Sequence, residues 1–256
     1  MHTVAMPRWL VSGAPRPAAP KLYCFPHGGG SAAEYLRWAR GLPGAEFHAV
    51  QLPGRGSRLS EPVFTSMDTL VDGVLANVPL GRAPYAFFGH SLGSLIAYEV
   101  TRALRREDRP LPERLVVSGY PAPHLPRASQ ELHTLPDAEL IEEVSRIHGG
   151  IPEEVLASVE LRELAAVALR ADYQVLETYS WRAGEPLSLP ITVLGGSADH
   201  VTAEQLQAWQ ELTTGEVTVQ QFPGGHFYLL EQPAAVLRSL AGALRTVRTK
   251  ERSAPC

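Results

Sequence analysis

Short apolar runs alternate with helix-spaced stretches along nearly the whole chain, and that alternation limits the architectures open to it. KLYCF (Lys21 to Phe25), FHAVQL (Phe47 to Leu52), YAFFG (Tyr85 to Gly89), RLVVSG (Arg114 to Gly119), ITVLGG (Ile191 to Gly196) and VTVQQF (Val217 to Phe222) are too short for buried helices and read as strands. Between and after them, apolar residues recur at helical spacing over 33–40, 67–78, 92–106, 203–212 and 234–247. Strand followed by helix, repeated, predicts a mostly parallel sheet with helices on both faces, where ligands gather at the carboxyl ends of the strands. A chain of 256 residues fits one such domain. From Pro121 to Pro190 the rhythm stops: helical spacing over 137–147, 153–169 and 171–179 with no convincing strand predicts a helical insertion at 121–190. Entering after one strand and leaving before the next, it should hang over the strand ends as a lid.

Composition narrows the partners. A formal net charge of -4, with no local basic patch, argues against nucleic acid. No stretch has the length of a membrane span, and prolines with Arg8 interrupt any signal-like core in the first 20 residues. The two cysteines, Cys24 in an apolar run and Cys256 at the end, do not form a disulfide framework, so a cytoplasmic protein is expected. The tail TKERSAPC is polar and should fray.

The chemistry concentrates in Gly89-His90-Ser91-Leu92-Gly93, a G-x-S-x-G pentapeptide set between a predicted strand and a predicted helix. In that context the glycines permit a strand-to-helix turn that lifts the serine hydroxyl above the sheet, the nucleophile elbow of an α/β-hydrolase fold. A serine hydroxyl needs a general base oriented by a carboxylate, and this fold orders them serine, acid, histidine. Of the nine histidines, His226 in GGHF follows the last strand and precedes the last helix. Asp199 in GGSADH follows the ITVLGG strand, whereas RLVVSG leads into Tyr120-Pro121-Ala122-Pro123 with no carboxylate. Ser91, Asp199 and His226 are therefore the expected triad, with Asp172 a distant alternative acid. His90, His124, His133, His148 and His200 are read as structural or exposed. Phe25-Pro26-His27-Gly28-Gly29-Gly30 resembles the HGGG-type oxyanion loop, so the N–H groups of Gly28 and Leu92 are the expected oxyanion donors, with Gly29 close behind Gly28.

With these motifs assembled, the chain resembles the type II thioesterases, stand-alone editing enzymes of polyketide synthase and nonribosomal peptide synthetase pathways. The resemblance spans nearly everything after Lys21. It rests on FPHGGGSA (25–32), QLPGRGSRLSEP (51–62), FGHSLGSLIAYEV (88–100), VSGYPAPH (117–124), the insertion segments LPDAELIEEV, GGIPEEVL and LRADYQVLETY, and FPGGHFYL (222–229). HGGG stands where many members have alanine after the histidine, and leucine follows Ser91 where many have methionine. Both changes keep the backbone donors. The resemblance implies hydrolysis of acyl thioesters carried on the phosphopantetheine arm of acyl or peptidyl carrier proteins. It implies no metal or organic cofactor, since phosphopantetheine arrives on the substrate. Because carrier proteins are usually acidic, Arg55, Arg58 and Arg182 are candidates for docking; a monomer is expected. Two other readings stay open: an esterase or lipase acting on small-molecule esters, and a non-catalytic binding protein on a hydrolase scaffold.

Overall fold

The computed structural model of the chain describes residues 9–81, 84–126 and 131–251; Arg8 and Cys256 lie outside them. Seven strands form one sheet: β1 (Leu10–Ser12), β2 (Lys21–Phe25), β3 (Glu46–Val50), β4 (Tyr85–His90), β5 (Arg114–Ser118), β6 (Ile191–Gly196) and β7 (Val217–Phe222). Their order across the sheet is β1-β3-β2-β4-β5-β6-β7, all parallel except the antiparallel edge pair β1 and β3. The six expected strands are present to within two residues at each end. The edge strand β1 is an addition, since three residues are too few to show an alternating pattern.

The helices are α1 (Ala32–Leu36), α2 (Met67–Asn77), α3 (Leu92–Arg106), α4 (Asp137–His148), α5 (Glu153–Ala157), α6 (Val159–Thr178), α7 (Ala203–Gln207), α8 (Tyr228–Glu231) and α9 (Pro233–Glu251). Because side chains alternate across a strand, the parallel strands feed two cores. Tyr23, Phe25, Phe87, Leu115, Val117 and Val193 pack against α2 and α3. Leu22, Cys24, Phe47, Phe88 and Val116 meet α1 and α9 on the other face. This burial on both faces explains why the strands read as continuous apolar runs. Helix α9 continues through Glu251, so the start of the polar tail is helical; residues 252–256 lie outside the described residues.

Between β5 and β6 the described chain is helical, with a small core of its own around Leu140, Ile141, Val144, Leu169 and Tyr173. Two expected boundaries move. The expected helix over 153–169 breaks at Ser158, whose hydroxyl accepts from Leu161 N–H at 3.2 Å and caps α6. The expected separation at Arg170 is absent, and α6 runs on through Thr178 because no glycine or proline intervenes.

From β2 the chain goes outward to β3 and returns to the other side of β2 as β4. The β2 and β4 carboxyl ends thus flank a point where strand order reverses, the usual crevice of such sheets. His27-Gly28 follows β2 there, and Ser91 follows β4.

Candidate active site

Ser91 caps the N-terminus of α3 with φ 53° and ψ −121°, a conformation that costs a non-glycine residue about 1–3 kcal/mol. The surroundings enforce it. Ser91 N–H donates to Ser118 O on β5 at 2.8 Å. Ser94 Oγ lies 2.8 Å from Gly89 O and 3.0 Å from Ser118 O, and accepts from Ser118 N–H at 2.9 Å. A Cβ at Gly89 would sit 2.0 Å from Gly93 O, and one at Gly93 would sit 2.1 Å from Phe25 O. Neither backbone clash can be relieved by turning a side chain, so the two glycines let β2, β4 and α3 close on one another.

His226 follows β7 and is buried. Its Nδ1 lies 2.9 Å from Asp199 Oδ2 and 3.2 Å from Oδ1. The loops bearing the two residues are joined by backbone: Ser197 N–H donates to Phe222 O at 2.8 Å and Ala198 N–H to Gly224 O at 2.9 Å. Gly196 makes the approach possible, since a Cβ there would fall 2.2 Å from Gly225 O. Burial acts to raise the Asp199 pKa, but hydrogen bonds from His200 and His226 outweigh it and hold the carboxyl well below its ordinary range. Asp199 is therefore an anion against His226 throughout the neutral range. Ser91 and His226 line the same two cavities.

One cavity, of about 320 Å³, runs beneath the insertion between Gly28, Ile141, Val144, Leu169 and Phe227. The other, of about 260 Å³, opens past Tyr120, Pro126, Glu177 and Gln205. A larger cavity, of about 800 Å³, lies away from both beside Asp68, Glu99, Arg102 and Arg182. The Tyr179 hydroxyl there donates to Glu99 at 2.7 Å, and Arg102 and Arg182 are already paired with Glu99 and Asp68.

The loop after β2 is held from the insertion. Asp172 on α6 accepts from Gly29 N–H at 2.7 Å and forms a two-pronged pair with Arg55, at 2.5 and 2.8 Å. Both side chains are buried. Asp172 is thus occupied away from His226, which leaves Asp199 as the carboxylate on the imidazole. Gly29 N–H is committed to Asp172, so Gly28 and Gly29 are not equivalent. His27, preceding Gly28, has Nδ1 2.7 Å from Tyr35 Oη and its ring edge-on to Phe227. Burial and the neighbouring His226 press its pKa down to about 3, so it is neutral.

Arg55 and Arg58, expected at the surface, are corrected by the structure. Arg55 is closed in by Asp172, while Arg58 donates to Gln51 O at 2.8 Å, pairs with Glu61 and covers the Trp9 ring. Both are buried, so neither is free to meet a partner. Arg182 is exposed and paired with Asp68 at 2.8 Å. Among the other histidines, His90 is buried on Ser118 Oγ at 2.9 Å and His133 lies against Glu177. The sequence offered no signal that His148, at the end of α4, would set its ring 4.7 Å from that of His226. Nor did it indicate that His200 Nδ1 would lie 2.7 Å from Asp199 Oδ1.

A strained serine at the elbow, a histidine seated on an aspartate whose side chain is buried, and a mostly parallel sheet with helices on both faces define the architecture as that of an α/β-hydrolase. The thioesterase domain family matches residues 20–244, and the chain belongs to that family. It is therefore an enzyme that hydrolyses thioesters. It is 37% identical over 244 residues to the gramicidin S biosynthesis protein GrsT of Aneurinibacillus migulanus, covering 94% of this chain and 95% of that one. Among solved structures, the type II thioesterase BorB from the borrelidin biosynthetic cluster superposes with a TM-score of 0.84 at 38% identity, covering 92% of this chain and 97% of BorB. YbtT, the type II thioesterase from the yersiniabactin NRPS/PKS pathway, superposes with a TM-score of 0.80 at 27% identity, over 93% and 99% of the two chains. No helix among the described residues is long and apolar enough to cross a membrane.

Proposed function

We propose that this thioesterase releases stalled or mis-loaded acyl groups from the phosphopantetheine arms of acyl or peptidyl carrier proteins, acting as a monomer through an acyl-Ser91 intermediate. The observation that carries the reading is the His226 imidazole, seated on Asp199 through Nδ1 and lining the same cavities as Ser91. The names of the relatives, drawn from peptide and polyketide pathways, support the carrier-bound substrate.

With Asp199 anionic and Nδ1–H directed at it, the lone pair of His226 resides on Nε2, where it takes the Ser91 proton as Oγ attacks the thioester carbonyl. Negative charge develops on the carbonyl oxygen. The N–H of Leu92, at the first position of α3, has no partner within its own helix, and the macrodipole reinforces it. Gly28 supplies the second donor in this scheme, because Gly29 is already engaged by Asp172. Collapse of the tetrahedral intermediate breaks the C–S bond, and imidazolium His226 returns the proton to the departing thiol. Water, deprotonated by His226, then cleaves the acyl ester, releasing the acid and restoring Ser91. The chain itself needs no cofactor in this scheme, since phosphopantetheine belongs to the carrier. The lid-lined cavity, bordered by Ile141, Val144 and Leu169, takes the acyl chain, and the cavity past Tyr120 and Gln205 admits the arm.

A panel of carrier proteins loaded with acyl groups of different length and branching, set against simple oxygen esters of the same acids, tests this reading. Release from carriers should be preferred and should vanish in Ser91→Ala. Equal rates on free oxygen esters would make the protein a general esterase. A Ser91→Ala variant with undiminished hydrolysis would remove the serine from the mechanism.

A further inference from the structure

Three histidines from separate elements converge at the site, and the hydrolytic scheme uses only one of them. His148 ends α4 in the insertion, His200 follows Asp199, and His226 follows β7. Their ring centroids lie 4.7 Å (His148 to His226), 4.8 Å (His148 to His200) and 5.2 Å (His200 to His226) apart. One ring nitrogen from each falls within 4.8 Å of the others.

The hydrogen bonding of His200 and His226 is that of metal ligands. Asp199 approaches Nδ1 of His200 at 2.7 Å and Nδ1 of His226 at 2.9 Å, so one carboxylate orients two imidazoles and leaves each Nε2 with its lone pair. A carboxylate behind the ring is the usual outer support of a ligating histidine, and it supplies a negative charge beside the cation. His148 Nδ1 is buried and has no hydrogen-bond partner among the described residues. Three imidazole ligands suit zinc far better than magnesium or calcium, and three protein ligands leave a fourth position for water.

We propose that His148, His200 and His226 form a Zn²⁺ site, and that the bound ion switches off hydrolysis by occupying the lone pair on His226. The inhibitory half rests on the role given to His226 above; the site itself does not. At a Zn–N distance of about 2.0–2.1 Å, tetrahedral ligands sit about 3.4 Å apart, so the widest gap must close by about 1.5 Å. That closure falls to the two flanking rings. His148 precedes Gly149 and Gly150, both at positive φ, and a Cβ at Gly149 would meet nothing within 4 Å. His200 has a side chain 49% exposed. His226 is the buried member around which they close.

Zn²⁺ titrated into the chelator-treated full-length protein, followed by calorimetry without substrate and by the visible spectrum of Co²⁺ as a stand-in, tests the site. One equivalent should bind, with a Co²⁺ band of four-coordinate intensity. His148→Ala and His200→Ala should each weaken binding by about 10–100-fold or more, and Ser91→Ala should bind as the wild type does. Thioester hydrolysis by the wild type should fall in step with Zn²⁺ occupancy and return on chelation. Absence of stoichiometric binding, or binding undiminished in the double variant His148→Ala/His200→Ala, overturns the proposal. So does a fully occupied enzyme that hydrolyses at its metal-free rate. A protein that binds Zn²⁺ through these residues yet hydrolyses no thioester after chelation would instead refute the reading of the hydrolytic site.

Discussion

Replacing Asp172 by alanine strips the buried Arg55 of both its carboxylate contacts and frees Gly29 N–H in the same step. Arg55 and Asp172 are 6% and 2% exposed, so water cannot readily take the place of the lost partner. Breaking a buried pair from one side costs about 3–5 kcal/mol, against about 0–1 kcal/mol for an exposed pair. For a chain of this size each kcal/mol lowers Tm by about 2–4 °C, so a fall of about 6–20 °C is expected. Urea denaturation should show a lower midpoint with an unchanged slope. Asp172→Asn, which keeps an acceptor for Gly29 but no charge for Arg55, should lie between. Removing both charges with Arg55→Met/Asp172→Leu should recover most of the loss, because no uncompensated ion remains. Activity supplies a second readout. Since Asp172 tethers the loop without touching substrate, kcat/KM for Asp172→Asn should fall by less than the roughly 10²–10³-fold expected for losing an oxyanion donor outright. A destabilisation below about 1 kcal/mol in Asp172→Ala, or simple additivity of Arg55→Ala and Asp172→Ala in a double-mutant cycle, would refute the reasoning.

Two further outcomes follow from the site. Ser91→Gly should abolish turnover yet raise stability by about 1 kcal/mol, because glycine adopts φ 53° without strain; a lower denaturation midpoint would contradict the strain at the elbow. His27 and His148 both have pKa values lowered to about 3, below their unfolded values near 6.5, so on acidification the unfolded chain takes up protons that the folded chain refuses. Stability should therefore fall as pH drops from about 6.5 towards 3, and His148→Gln should flatten that slope in pH-dependent denaturation; an unchanged slope would mean that His148 is not held neutral.

Much of the scaffold was legible because its signals are local. Tyr23 and Phe25 face one core while Leu22 and Cys24 face the other, so strand β2 had to read as an unbroken apolar run. The glycines at 89 and 93 stand where backbones approach too closely for any Cβ, and a short-range pattern records that demand directly. Ser91, Asp199 and His226 could each be picked out because each follows a recognisable strand. By contrast β1 is too short to carry a period, and the continuity of α6 past Arg170 was hidden by a helical pattern that had looked divided there.

The sequence by itself determined the parallel sheet, the elbow, the places of Ser91, Asp199 and His226 after β4, β6 and β7, and the helical character of the insertion, since these depend on spacing within a few residues. Only the tertiary structure decided what the insertion does to the site. It turned Arg55 from an expected surface charge into the buried partner of Asp172, 117 residues away, and seated His148 against His226. Spacing along the chain carries no information about such meetings. They are settled by how α4 and α6 pack over the strand ends, where two charges can leave water only together and where a buried imidazole must stay neutral.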